Sequence, residues 1–178
     1  MLGVTGGVVY TVLLITAAVG DFRSRRIPNR LVGAMAVLGL VWSILVTPVL
    51  PGALTGLGGL LTGFVCWLPF YVLGWLGAGD VKLFAAAGAW LGPLTTLEGA
   101  LIAAVVGAVL ALIWMVFSYG GRNAATTLAI AATRPSVLSP SSGKSGMKHT
   151  IPYGVALAFG ALAAGWMPGV LFKLLEVG

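Results

Sequence analysis

The chain has 178 residues, 59% of them hydrophobic, and a net charge of +6. Only 8% of its residues are charged, about a third of the share usual in a soluble domain, so there is too little polar sequence to cover its long apolar runs. An ordinary water-soluble globule is excluded, and a single all-α membrane domain over 1–178 is predicted.

A helix needs about 20 mainly apolar residues to cross roughly 30 Å of hydrocarbon. The first such run is 2–20, ending in "TAAVG". Small residues close it as they would close a signal peptide, but no basic stretch precedes it and arginines follow. This pattern favours an uncleaved anchor with its N-terminus outside. No charge lies between Arg30 and Asp80. That interval holds two spans, 31–47 and 54–75, separated by "TPVLPG" with Pro48, Pro51 and Gly52 as breakers. A shorter segment, 80–92, ends at "LGP", and runs at 96–118 and 151–172 complete about six spans.

Between the last two lies the polar stretch 119–150, whose second half is rich in Ser, Pro and Gly and is expected to be mobile. Its first part, 122–133, suits either a short interfacial helix or an irregular tether. No repeat of 20 to 50 residues is evident.

Basic residues set the expected orientation. Arg23, Arg25, Arg26 and Arg30 follow the first span, Lys82 follows the third, and Arg122, Arg134, Lys144 and Lys148 fall in 119–150. These loops are expected in the cytoplasm, with both termini outside. The positive charge is then explained by topology and by anionic lipid, and a nucleic-acid partner is not expected, since no aromatic residues interleave with a basic face.

Cys66 is the only cysteine and lies within a span, so its expected role is packing. His149 is the only histidine, beside Lys148 and without an acidic or cysteine neighbour. Neither a metal site nor a Ser-His nucleophile is supported.

The four acidic residues are Asp21, Asp80, Glu98 and Glu176. Glu98 and Glu176 fall at outward span ends, where solvation or headgroup contact suffices. Asp21 and Asp80 both fall at the cytoplasmic boundary, 59 positions apart in sequence. A carboxylate near hydrocarbon faces a protein interior or a wet cavity. The competing reading makes each Asp an interfacial counter-ion, Asp21 for Arg23 or Arg25 and Asp80 for Lys82. Gly77 and Gly79 in "GAGD" permit unusual backbone conformations and close chain approach, Asp80 opens a helix, and "AAAGA" at 85–89 suits tight helix contact. Two close carboxylates share a proton. Such a pair can activate water against a peptide carbonyl and protonate the leaving nitrogen.

Three blocks carry a resemblance: "GDFRSRRIPNRL" at 20–31, "GAGDVKL" at 77–83 and "KHTIPYGVAL" at 148–157. Together they resemble the type IV prepilin peptidases, membrane aspartic proteases with a GxGD motif. The resemblance implies that Asp21 and Asp80 are the catalytic pair, supported by Gly77, Gly79, Lys82, Pro152 and Gly154. It also implies cleavage of a short basic leader from pilin-like precursors at the cytoplasmic face of a bacterial or archaeal inner membrane.

With Asp21 directly after the first span and one cysteine in the chain, the sequence is similar to the short form serving tight-adherence (Flp-type) pili. N-methyltransferase activity and its S-adenosylmethionine cofactor are therefore not expected, and no other cofactor or metal is implied. Arg23, Arg25, Arg26 and Lys148 are candidate substrate or lipid contacts, although topology explains the arginines most simply. Lys82 is expected to anchor its turn at headgroup level. Pro28 and Asn29 read as a helix start with Asn as cap, and Pro152, Tyr153 and Gly154 as a bend before the last span. The rival functions are a proton-coupled transporter or assembly factor using the Asp pair as a relay, and a presenilin-like peptidase, which lacks support because its proline-containing motif is not found. Oligomeric state is left open by the small residues, which can pack helices within or between chains.

Overall fold

The computed structural model describes residues 2–24, 28–119 and 153–169. These residues form helices α1 (Val4–Ser24), α2 (Asn29–Val46), α3 (Val49–Val72), α4 (Ala78–Leu91), α5 (Pro93–Tyr119) and α6 (Tyr153–Trp166), with no strand among them. Four of them, α1, α2, α3 and α5, are long and apolar enough to cross a membrane. Their outward faces carry exposed Val, Leu and Ile side chains such as Val12, Leu45, Leu61 and Val105, as expected where lipid rather than water is the solvent. The 14 residues of α4 span about 21 Å, and α6 is equally short.

Several helices start earlier than their apolar runs suggest, and proline is the reason. Pro48 caps α3, Pro51 falls in its first turn, and Pro93 is the first residue of α5. The first-turn N–H groups of a helix have no partner within it, so proline there costs nothing and its fixed φ suits the start. The residues read as breakers are thus initiators. Pro28 likewise occupies the cap position of α2 with no side-chain hydrogen bond, and Asn29 is the first helical residue. The expected Asn cap is not formed.

The short helix α4 is the hub of the bundle. Val81 and every residue from Leu83 to Trp90 are buried, and it touches each of the other five helices. Small residues permit this. Gly59 of α3 and Gly88 of α4 face each other so closely that a Cβ on either would strike the other's carbonyl oxygen, and a Cβ on Gly63 would lie 2.8 Å from the Phe84 carbonyl oxygen. The same logic joins α5 to α6, where a Cβ on Gly160 would meet the Ala103 nitrogen at 2.6 Å.

Polar ties add direction to this packing. Trp90 Nε1 donates to the Met35 carbonyl at 2.9 Å, linking α4 to α2, and the buried Tyr10 hydroxyl donates to the Ala161 carbonyl at 2.9 Å, linking α1 to α6. Cys66 is a free thiol packed against the buried cluster, in agreement with its expected packing role.

Glu98 departs from its expected solvated position. It is only 2% exposed, and its Oε2 accepts the Gly169 N–H at 2.7 Å. Because α5 begins at Pro93, Glu98 lies in the second turn of that helix and faces the end of α6.

Candidate active site

At the opposite end of α6 from Gly169, three helix ends converge. Asp21 lies in the last turn of α1, Asp80 in the first turn of α4 and Gly154 in the first turn of α6. A Cβ built on Gly154 would sit 2.5 Å from Asp21 Oδ2 and 2.9 Å from its Cγ. The backbone of α6 therefore lies directly against the Asp21 carboxylate, and only glycine leaves that space.

The turn from α3 into α4 presents Asp80. Gly74 has φ +76°, a left-handed conformation natural to glycine. The Trp75 and Leu76 N–H groups donate back to the Phe70 carbonyl, and that of Gly74 to the Tyr71 carbonyl. This closes α3 and redirects the chain within a few residues. Gly77 then precedes α4 with φ −77° and ψ 150°, and its N–H donates to Asp80 Oδ2 at 3.3 Å.

The reading of Gly77 and Gly79 as sites of unusual conformation is corrected here. Gly77 has a common extended backbone, Gly79 is helical, and the positive φ belongs to Gly74. What Gly77 supplies is space, because a Cβ there would stand 3.3 Å from Asp80 Oδ2. Gly74 was missed although a glycine just past an apolar helix is a recognisable stop signal.

Asp80 is half-buried and stands outside the four spanning helices. Burial, and then the neighbouring negative charge of Asp21, push its carboxyl up to about 6, while the hydrogen bond from Gly77 pulls in the opposite direction. The two carboxylates are thus near enough to sense each other, the condition for one proton to be shared between them. No ion pair joins Asp80 to Lys82, whose side chain is exposed. Positions i and i+2 of a helix face different ways, which disfavours the counter-ion reading of Asp80. Arg23 lies in the last turn of α1, whereas Arg25, Arg26, Lys148, Pro152 and the expected loop 119–150 beyond Tyr119 lie outside the described residues. No cluster of three His, Cys, Asp or Glu side chains able to hold a metal ion occurs among the described residues.

A sequence profile of the type IV leader peptidase family matches residues 8–112. That is more than half of the chain, and it includes both aspartates. The chain belongs to the type IV leader peptidase family. It is 35% identical over 128 residues to a prepilin leader peptidase/N-methyltransferase of Xanthomonas campestris pv. campestris, covering 69% of this chain and 44% of that protein. It is 37% identical over 112 residues to a type 4 prepilin-like proteins leader peptide-processing enzyme of Escherichia coli O78:H11, covering 56% of this chain and 39% of the relative. A prepilin leader peptidase/N-methyltransferase of Escherichia coli K12 is 38% identical over 96 residues, 50% of this chain and 42% of the relative. The matches thus span less than half the length of each of these relatives. No solved structure matches the chain.

Proposed function

We propose that the chain is a membrane aspartic endopeptidase that removes the short basic leader from type IV pilin-like precursors. The observation that carries this reading is the convergence of Asp21, Asp80 and Gly154 from three helix ends. Membership of the leader peptidase family supplies the substrate class.

In the proposed reaction one carboxyl of the pair holds a proton and the other is anionic. The anion takes a proton from water as the water oxygen attacks the scissile carbonyl, and the protonated partner stabilises the developing oxyanion. Collapse of the tetrahedral intermediate breaks the C–N bond while a proton passes to the leaving nitrogen. Gly154 keeps the Asp21 carboxylate confined from one side, and the Gly77 N–H orients Asp80. No covalent intermediate and no cofactor is needed.

The proposed topology is six crossings with both termini outside, in a bacterial or archaeal inner membrane. The short α4 and α6 complete their passage inside the bundle rather than against lipid. Basic residues on either side of the aspartates support a cytoplasmic position for the pair, where a precursor inserted with its leader inside presents its scissile bond. Two of the relatives carry N-methyltransferase in their names. The proposed activity does not extend to methyl transfer, since a single cysteine, Cys66, lies within these 178 residues. Transfer of a labelled methyl group from S-adenosylmethionine to a processed pilin by this protein alone would overturn that part.

The main test is co-expression with a Flp-type prepilin, comparing wild type with Asp21→Asn and Asp80→Asn. Either substitution preserves size and removes carboxylate function, so each is expected to abolish processing without loss of membrane insertion. Continued cleavage by either variant would remove that residue from the dyad.

A further inference from the structure

The three helices whose ends form the site meet again deeper in the bundle. Asp21 is eleven positions along α1 from Tyr10, Asp80 is ten along α4 from Trp90, and Gly154 is eleven along α6 from Gly165. At 1.5 Å per residue each interval is about 15–17 Å. Tyr10, Trp90 and Gly165 thus form one layer at a common distance from the aspartates.

Tyr10 is the centre of that layer. It is wholly buried, its ring lies 5.8 Å from that of Trp90 between centroids, and a Cβ on Gly165 would come within 3.0 Å of its Cε1. The missing side chain at Gly165 lets the ring rest on the backbone of α6, where the hydroxyl donates to the Ala161 carbonyl at 2.9 Å. A carbonyl oxygen has two lone pairs, so this bond does not compete with the helical ladder of α6. Trp90 is fixed in turn, because its Nε1 donates to the Met35 carbonyl.

The bond matters because apolar contact leaves the sliding of α1 along α6 weakly determined. On the buried stripe of α1 the residues between Tyr10 and Asp21 are Leu14 and Ala17, and on α6 Ala158 and Ala161 fall at the matching steps between Gly154 and Gly165. In lipid no hydrophobic drive acts between helices, and small apolar side chains pack in more than one register. A single buried polar contact can select one register. A second tie, from Trp166 Nε1 to Thr11 Oγ1 at 3.0 Å, is exposed and joins two side chains that can move together. A slip of one turn would carry Asp21 about 5.4 Å along the axis, away from Gly154 and Asp80.

We propose that Tyr10 is a positioning residue for cleavage: its hydroxyl, held on the Ala161 carbonyl, sets the axial register of α1 against α6 and α4 and so the separation of Asp21 from Asp80. The inference rests on the peptidase reading above. Tyr10 acts only through the aspartates, from about 16 Å away along α1.

The test compares wild type with Tyr10→Phe, Gly165→Ala and Thr11→Val, each as the full chain in membranes with a Flp-type prepilin. Tyr10→Phe keeps the buried ring and loses the donor, whereas Gly165→Ala keeps the donor and pushes the ring off α6. Each is expected to lower kcat about three- to tenfold with KM nearly held, the scale of one interhelical hydrogen bond in a membrane. Thr11→Val removes the exposed tie and is expected to change neither constant. A second readout separates positioning from general loosening. The charge of Asp21 raises the pH at which the Asp80 carboxyl loses its proton, so a displaced Asp21 is expected to move the Asp80 infrared band to lower pH in Tyr10→Phe and Gly165→Ala. Unchanged kcat or an unmoved band in either variant, or an equal loss in Thr11→Val, would overturn the role of Tyr10 and leave the peptidase intact. Failure of wild type to cleave would overturn the peptidase reading and this inference with it.

Discussion

At the scale of single residues, the site depends on what is absent as much as on what is present. Gly154 has no side chain where one would strike Asp21, with a Cβ expected 2.5 Å from Oδ2. Gly154→Ala is therefore expected to displace the carboxylate and lower the cleavage rate by about 10²-fold, the cost of misplacing a reacting group by roughly 1 Å. The variant should still insert in the membrane. Gly33→Ala is the control, because a Cβ there meets nothing within 4 Å; a matching loss in that variant would point to general damage. Asp80 offers a second measurement. Its carboxyl is pushed up to about 6 by burial and by Asp21, so it keeps its proton at pH values where an ordinary carboxyl has lost it. Infrared titration is expected to show a protonated carboxyl band that vanishes as pH rises through about 6 and is missing in Asp80→Asn. In Asp21→Asn the same band should titrate at lower pH, but above the ordinary carboxylate range, since burial remains. Because the proposed dyad needs a proton, kcat/KM is expected to fall as pH rises through that midpoint.

At the scale of elements, the position of Asp80 is set by how closely α3 and α4 approach. Gly59 and Gly88 meet backbone to backbone, so Gly59→Ala has no flexible neighbour to yield to it. Separation of the helices is expected to cost about 1–3 kcal/mol, seen as a lower melting temperature of the solubilised protein, with reduced cleavage because α4 carries the aspartate. An unchanged melting temperature would show that the contact is looser than its geometry implies. Much of the helical plan could be read from the sequence, because charge-free apolar runs bounded by Gly and Pro leave few other options for a chain in lipid. The small residues at 85–89 correctly indicated close packing. The hub role of α4 was not legible, since a 14-residue helix gives a weak crossing signal and its burial is settled by neighbours distant in sequence. Glu98 differs from its expected place for a related reason: apolar periodicity places a residue near a span end without revealing that Gly169, in the turn beyond α6, covers it. Asp21 and Asp80 were legible as a pair by equal depth, whereas the role of Gly74 emerged only from the backbone.

At the scale of the whole molecule, α3 fixes the relation between the two sides of the membrane. Its 24 residues span about 36 Å, enough to put the α2–α3 turn and the α3–α4 turn on opposite surfaces. The second of these turns leads into Asp80, so its side decides which end of a precursor the proposed dyad can reach. The arginines after α1 and Lys82 after the α3–α4 turn favour the cytoplasm for the aspartates. With Cys66 replaced by Ala, a cysteine at Leu50, exposed near the start of α3, is expected to react with a membrane-impermeant maleimide in intact cells with the outer barrier opened. A cysteine at Ala78, exposed at the start of α4, should react only after the inner membrane is permeabilised. The reverse pattern would put the aspartates on the outer surface, away from a leader that remains in the cytoplasm, and the precursor-processing reading could not stand.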